Sequence, residues 1–150
     1  MLLALVILIL MIGQRGFYTF LDMGNVERVD PSEAKALLKQ QELLILDVRS
    51  QEEYQVSHLA GAIRYQPELL DTLDRNTPVM VYCTISLRSN SLAKELSDLG
   101  HEQIYDLTGG LISWSNEEEQ LINSKGQSTD SVHTYNRWFA FLLDNGKAVH

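Results

Sequence analysis

Residues 79–90 have the sequence VMVYCTISLRSN, in which a short apolar run ends at a cysteine and a polar loop follows. Val79 to Tyr82 have the composition of a strand that is buried on both faces of a sheet, and Pro78 introduces it. An amphipathic helix is predicted from Ser89 to Leu99, with Gly100 just past its end. A strand, a loop and a helix in this order are typical of the units from which α/β domains are built.

The same alternation continues on both sides of this stretch. Asp30 to Glu33 and Ser50 to Glu53 have the spacing of capping boxes, each at the start of a helix. Upstream, the sequence predicts a helix from Pro31 to about Gln40, a strand over Leu43–Val48, a short helix after Ser50, a strand over Ala62–Tyr65 and a helix over Pro67–Leu73. Downstream, it predicts a strand over Gln103–Leu107 and a helix after Gly110 that carries Trp114. The pattern indicates an α/β fold with a mainly parallel sheet flanked by helices on both faces.

Cys83 is the only cysteine of the chain and directly follows a predicted strand. Loops that leave the carboxyl ends of parallel strands are where such sheets bind ligands. The backbone N–H groups of Thr84, Ile85, Ser86, Leu87 and Arg88, together with the first helical turn at Ser89, predict a cradle that favours a thiolate or persulfide anion. Arg88 adds a forked cation that is suited to an oxyanion. A lone cysteine is commonly a small buried hydrophobe, but the position at a strand end favours a nucleophile.

Composition excludes several other classes of site. The formal charge of −8 disfavours binding to nucleic acid, because a surface of that sign repels phosphate. One cysteine allows no intramolecular disulfide, and the four histidines are scattered without zinc-ligand spacing. We therefore expect neither a metal nor a cofactor.

Three groups of residues resemble the signatures of rhodanese-like domains. The loop from Cys83 to Ser89 resembles that family's Cys-x-x-Gly-x-Arg-Ser active loop. Upstream, Leu46 to Arg49, Glu53-Tyr54 and His58 to Ala62 are similar to its first signature. Downstream, Leu107 to Gly110 followed by Trp114 resembles its closing signature. The resemblance covers about residues 27–120, and it implies a five-stranded, mainly parallel sheet and a domain over that range.

The resemblance also implies an activity, namely the transfer of sulfane sulfur through an enzyme persulfide. The enzyme would be a thiosulfate sulfurtransferase with Cys83 as its nucleophile. Its partners would be a small sulfur donor, such as thiosulfate or another persulfide, and a thiol or cyanide acceptor, which includes a protein acceptor. A cysteine phosphatase is disfavoured, because its loop has five residues between cysteine and arginine and this chain has four. The other alternative is a non-catalytic rhodanese-like module that binds a partner at the membrane.

Some residues depart from the family pattern or favour a structural role. Ser86 stands where the family usually has glycine, so the freedom to adopt a positive φ is reduced. Ser57 likewise replaces a glycine before His58. We expect Asp47 and Arg49 to form a structural ion pair and His58 to stabilise the fold through a hydrogen bond. Tyr54 and Trp114 are expected in the core.

The two ends of the chain lie outside the resemblance. Residues 1–21 form an apolar segment whose first twelve residues carry no polar side chain. It is interpreted as a membrane anchor. The nearest basic residues, of which Arg15 is the first, all follow the twelve-residue run, which favours a domain in the cytoplasm. A secretory signal with a periplasmic product, or a segment packed on the domain, are the alternatives. At the other end we predict a linker over residues 121–131 and an amphipathic helix over residues 132–145.

Overall fold

A computed structural model describes residues 24–150 of the chain, so the predicted apolar segment over residues 1–21 lies outside the described part. Five parallel strands form the main sheet: β1 (Val26–Val29), β2 (Leu44–Asp47), β4 (Ile63–Arg64), β5 (Val79–Tyr82) and β6 (Ile104–Leu107). Their order across the sheet is β1-β6-β5-β2-β4. The predicted five-stranded parallel sheet is confirmed. The ends of β2, β4, β5 and β6 lie within one residue of those expected, and no bounds had been predicted for β1.

Helices cover both faces of this sheet. They are α1 (Pro31–Gln40), α2 (Gln51–Val56), α3 (Ser89–Asp98) and α4 (Gly110–Asn116), and the helix expected over Pro67–Leu73 is a 3₁₀ helix over Pro67–Asp71. Alternate residues of each strand point to opposite faces, which gives two apolar clusters. Met80 and Tyr82 pack with α1 and α4 in one cluster, and Val79 and Val81 pack with α3 in the other. The end of β5, which Cys83 follows, thus belongs to a sheet that is buried on both sides.

The capping boxes predicted for α1 and α2 are both present. The Asp30 side chain accepts from the Glu33 N–H, and the Glu33 carboxylate accepts from the Asp30 N–H. In α2, the Glu53 N–H donates to Ser50 Oγ and the Ser50 N–H donates to Glu53 Oε2. Each box satisfies two N–H groups that the first helical turn leaves without an intrahelical acceptor.

Residues 121–131 are not a linker, contrary to the sequence prediction. β7 (Leu121–Ile122) pairs antiparallel with β3 (His58–Leu59) and with β8 (Ser128–Thr129), and Leu121 is buried. The polar residues between β7 and β8 form a turn, in which Asn123 Oδ1 accepts from the N–H groups of Lys125 and Gln127. The same residue types occur in linkers and in tight turns, so composition did not separate the two.

The predicted amphipathic helix over residues 132–145 is also wrong. The segment contains β9 (Ser131–His133) and a 3₁₀ helix (Arg137–Leu142), and β10 (Lys147–Val149) then pairs parallel with β9. Val132 is fully buried in the core, whereas Trp138 and Phe141 are 81% and 77% exposed. A backbone turn at Tyr135, where φ is 67°, interrupts the run that the apolar spacing had indicated. Spacing alone does not report such a turn.

Within residues 24–150, no helix has both the length and the apolar character needed to cross a membrane.

Candidate active site

Cys83 lies at the carboxyl end of β5, at the centre of the sheet. Its thiol is free and the residue is only 1% exposed. All four residues of β5 before it are fully buried, so the backbone that leads to the sulfur is held on both sides by neighbouring strands. The strand therefore fixes the sulfur at the point where the predicted loop begins.

The loop after Cys83 offers backbone N–H donors. Within the described part of the chain, the N–H groups of residues 85–88 donate to no protein acceptor. The ten-residue helix α3 starts directly after them, and its first turn adds to the positive partial charge. This is the arrangement that an anionic sulfur or a small oxyanion needs.

Gly110 allows α4 to pack directly against the start of this loop. The Leu111 N–H donates to the Cys83 carbonyl at 2.8 Å, and the Ile112 N–H donates to the Thr84 carbonyl at 3.2 Å. A Cβ atom on Gly110 would lie 2.3 Å from the Cys83 carbonyl oxygen, and Gly110 has a φ of 57°. Gly110 is thus a structural requirement of the cysteine loop.

Ser86 adopts the left-handed conformation that glycine usually occupies. Its φ is 71°, and its side chain is buried. Ser86 Oγ donates to the Leu107 carbonyl at 2.6 Å, which ties the loop to the end of β6. The serine therefore reaches the glycine-type geometry and offsets part of its strain with a buried hydrogen bond.

Arg88 is held by a buried carboxylate. Its Nη2 and Nη1 atoms donate to the two carboxylate oxygens of Glu53 at 2.7 and 2.8 Å, and Nη2 also donates to Thr84 Oγ1 at 2.9 Å. The Thr84 hydroxyl donates to Glu53 Oε1 at 3.0 Å. The Glu53 side chain is 3% exposed and that of Arg88 is 36% exposed, so the cation bridges the interior and the solvent.

Glu53 stays ionised because of these contacts. Burial alone would raise the pKa of its carboxyl group. Hydrogen bonds from Arg88, from the Ser50 backbone and from Thr84, with the charge of Arg88, outweigh burial and lower the pKa to about 2. The same carboxylate also raises the pKa of Arg88. The pair is therefore charged at every pH at which the protein would work.

Tyr135, in the C-terminal segment, makes a cation–π contact with Arg88. Its ring lies over the Arg88 guanidinium, with 4.8 Å between Cζ and the ring centroid, and it stacks on Phe139. The guanidinium is thus positioned by a carboxylate on one side and by an aromatic face on the other.

Ser89 and Leu87 complete the predicted loop. Ser89 is fully buried, and its Oγ lies 3.8 Å from Cys83 Sγ and 2.7 Å from Asp106 Oδ1. Leu87 is 58% exposed, whereas Ile85 packs against the core. All the site residues predicted from the sequence thus lie in the loop that follows the sulfur. Ser89 contacts the sulfur with its hydroxyl group.

The structural roles expected for Asp47 and Arg49 are confirmed. Their buried ion pair has a distance of 2.6 Å, and the Tyr82 hydroxyl donates to Asp47 Oδ2 at 2.6 Å. His58 Nδ1 lies 2.8 Å from the Tyr54 carbonyl oxygen and its ring stacks on that of Tyr54. Both groups stabilise the strand ends beside the site.

Three residues of the site were not identified from the sequence. Glu53 was interpreted as a capping residue and as part of the first signature, but not as the partner of Arg88, although one of its oxygens serves both the cap and Arg88. Its place after the Asp47-Val48-Arg49 motif was the available signal. Asp106 and Tyr135 reach the loop from β6 and from the C-terminal segment, and no local pattern marks either of them.

Comparison with known proteins agrees with this geometry. A family model described as rhodanese-like domain matches residues 30–117. The thiosulfate sulfurtransferase GlpE of Coxiella burnetii is 33% identical over 92 residues, which cover 59% of this chain and 86% of the relative. The tRNA uridine(34) hydroxylase of Chlamydia caviae is 31% identical over 100 residues, which cover 59% of this chain and 30% of that protein.

Solved structures show the same similarity. The thiosulfate sulfurtransferase of Pseudomonas aeruginosa is 28% identical with a TM-score of 0.58, and the match covers 68% of this chain and 21% of that one. A rhodanese-related protein of Thermoplasma volcanium is 26% identical with a TM-score of 0.56, and the match covers 64% of this chain and 97% of that one.

Proposed function

The chain belongs to the rhodanese-like domain family, and from that premise we propose that it is a sulfurtransferase which carries sulfane sulfur as a persulfide on Cys83. One observation carries the proposal: a buried, free thiol stands at a strand end before a loop whose N–H groups at residues 85–88 lack protein acceptors within residues 24–150. Such donors stabilise an anion at the sulfur and at the atom bonded to it.

The chemistry needs two displacements at sulfur. The Cys83 thiolate attacks the outer sulfur of thiosulfate, a new S–S bond forms, and the old S–S bond breaks with its electron pair leaving on sulfite. An acceptor such as cyanide then attacks the terminal sulfur of the persulfide. The C–S bond of thiocyanate forms, and the electron pair of the broken S–S bond returns to Cys83 as a thiolate.

Arg88 is the group that we assign to an oxyanion donor. Three of its five N–H donors are engaged by Glu53 and Thr84, and the other two meet no acceptor within residues 24–150. A sulfonate oxygen accepts strongly from a charged N–H donor of this kind. Glu53 reduces the net positive charge offered there, so a thiol persulfide is a donor of equal interest.

A second candidate function is a partner-binding module without turnover. One observation favours it: Trp138 and Phe141 are strongly exposed and three residues apart, which places them on one face of the 3₁₀ helix. Exposed aromatic side chains of this kind are frequent in protein interfaces. The same face would also serve a protein that accepts sulfur from Cys83.

Intact mass separates these functions. The protein is treated with thiosulfate in the absence of reducing agent, and we expect one added sulfur atom that cyanide removes and that Cys83→Ser never gains. A folded wild-type protein that gains no sulfur from thiosulfate, from a thiol persulfide or from a protein persulfide would leave the binding module as the function.

We also propose that residues 1–21 anchor the protein to a membrane and leave the domain in the cytoplasm. The apolar run of twelve residues supports an anchor, and the basic residues after it support this orientation. Asn25, just before β1, contacts Ser97 near the end of α3 and Glu102 just before β6, whereas Cys83 follows the carboxyl end of β5. An anchored domain would then present Cys83 away from the bilayer.

Carbonate extraction, followed by protease accessibility in spheroplasts, tests the proposal that residues 1–21 are an anchor. A processed soluble periplasmic form would contradict it.

A further inference from the structure

Ser89 Oγ lies between two buried groups that both compete for its single hydrogen atom. Cys83 Sγ is 3.8 Å away and Asp106 Oδ1 is 2.7 Å away. The three residues are at most 1% exposed, and they come from the end of β5, the start of α3 and β6. Asp106 has no part in the sulfur chemistry described above, although the Ser89 hydroxyl contacts both its carboxylate and the sulfur.

The hydroxyl has one hydrogen, so it donates fully to one acceptor at a time. While Asp106 is ionised, the short contact and the negative charge hold that hydrogen on the carboxylate. A protonated Asp106 instead donates its own O–H to Ser89 Oγ. The hydroxyl hydrogen is then released and turns toward the sulfur.

The surroundings of Asp106 place this change within an accessible pH range. Arg28 on β1 pairs in register with Asp106, and within residues 24–150 it is the charged residue that acts on the Asp106 carboxyl group. On the other side of β6, Asp106 pairs with Val81 of β5. Burial raises the pKa of Asp106 to about 6, against the hydrogen bond from Ser89 and the charge of Arg28. Asp106 is also among the residues that line a pocket of about 510 Å³.

We propose that Asp106 is a positioning residue that controls the reactivity of Cys83 through the orientation of the Ser89 hydroxyl. Above the pKa of Asp106 the hydroxyl serves the carboxylate, and below it the hydroxyl stabilises the thiolate. The inference rests on the proposed function only in taking Cys83 as the reacting sulfur. It adds to that function a pH-dependent control from behind the loop.

Alkylation of Cys83 by iodoacetamide tests the inference without any sulfur transfer, so its outcome is independent of the proposed function. Rates are measured from about pH 5 to about pH 8 for the wild type, Asp106→Asn, Ser89→Ala and the double variant. The amide introduced by Asp106→Asn is a weaker acceptor than the carboxylate and frees the hydroxyl. We expect Asp106→Asn to react about ten-fold faster than the wild type above pH 7 and at the same rate near pH 5.

The double variant decides the route of the effect. If the hydroxyl is the link, Asp106→Asn changes nothing in the Ser89→Ala background. An equal acceleration by Asp106→Asn in both backgrounds would show a direct charge effect and would overturn the proposal. No acceleration in a folded Asp106→Asn variant would overturn it as well. Circular dichroism and the thermal midpoint confirm that each variant is folded.

Discussion

Arg88 Nη2 lies 2.7 Å from Glu53 Oε1, and this contact joins the cysteine loop to the first turn of α2. Glu53 closes a capping box with one face of its carboxylate and holds the site cation with both oxygens. A residue in the first turn of a helix therefore also orients the guanidinium and reduces the net positive charge beside the cysteine loop. Stability and reactivity are coupled at this point, which makes the contact the first target for tests.

Acid should weaken the fold through Glu53. Its pKa is lowered from 4.5 to about 2 in the folded protein, so the ionised form stabilises the fold above pH 4.5. This contribution is lost as the pH falls from 4.5 toward 2. Since Arg88 is partly in solvent, we expect a loss on the order of 2 kcal/mol. Urea unfolding of the wild type and of Glu53→Gln across this range measures it, and a parallel pH dependence of the two proteins would contradict the assignment.

Removal of Arg88 should lower the use of thiosulfate. The single change Arg88→Ala leaves the buried Glu53 carboxylate without its cation, at a cost of about 3 kcal/mol in folding. The clean comparison is therefore Glu53→Gln with Glu53→Gln/Arg88→Ala. We expect the second protein to lose about 10- to 150-fold in kcat/KM for thiosulfate at similar stability. Equal kcat/KM values in the two folded proteins would remove Arg88 from the donor site.

Ser86 should tolerate glycine better than alanine. Glycine relieves the strain of the positive φ and loses the hydrogen bond to Leu107, whereas alanine keeps the strain and loses the bond. We expect Ser86→Ala to be about 1 kcal/mol less stable than Ser86→Gly, and Ser86→Gly to have a modestly higher kcat/KM. Chemical denaturation and steady-state assays measure these values. Higher stability for the alanine variant would show that φ strain is unimportant here.

Gly110→Ala should damage the site more than the same change at another glycine with a positive φ. The new Cβ would meet the Cys83 carbonyl oxygen at 2.3 Å, whereas a Cβ on Gly61, where φ is 80°, meets no atom within 4 Å. Gly61→Ala is thus the matched control, with a loss of about 1 kcal/mol from strain alone. We expect Gly110→Ala to lose at least about 3 kcal/mol and most sulfur uptake. Similar losses in the two variants would argue against a close approach of α4 to the loop.

Tyr135→Ala should weaken thiosulfate turnover without loss of the core. The ring contacts the Arg88 guanidinium from the solvent side, and a cation–π contact of this kind is worth about 0.5–1 kcal/mol. We expect a decrease of about two- to five-fold in kcat/KM, while Tyr135→Phe keeps the wild-type value. A loss in Tyr135→Phe equal to that in Tyr135→Ala would indicate that the hydroxyl, and not the ring face, is used.

The parts of the fold that follow local rules were predictable from the sequence. The run Val79–Tyr82 predicted a strand that is buried on both faces, and the structure buries all four residues. The capping boxes at Asp30 and Ser50 predicted the starts of two helices. In each case, neighbouring residues alone contain the physical signal, since it consists of burial on two faces or of hydrogen bonds within one turn.

Contacts between distant segments were not predictable in the same way. Cys83 and its loop were found because they are contiguous, but Asp106 and Tyr135 join them only through the order of the strands and a turn at positive φ. The residues after Asp130 have helical spacing, but they form two short strands and a 3₁₀ helix because of their tertiary contacts. No property of the segment itself records those contacts.

The burial of Val132 means that the segment shared with the family is shorter than the unit that folds around one core. The family match ends at residue 117, but Val132 is fully buried in the same core as Trp114, and Ser115 Oγ donates to the Asn145 carbonyl at 2.8 Å. A chimera that transplants only the matched segment would open a hole beside α4 and expose the core to water. Swaps between relatives would need to carry the strands after Asp130 as part of the exchanged module.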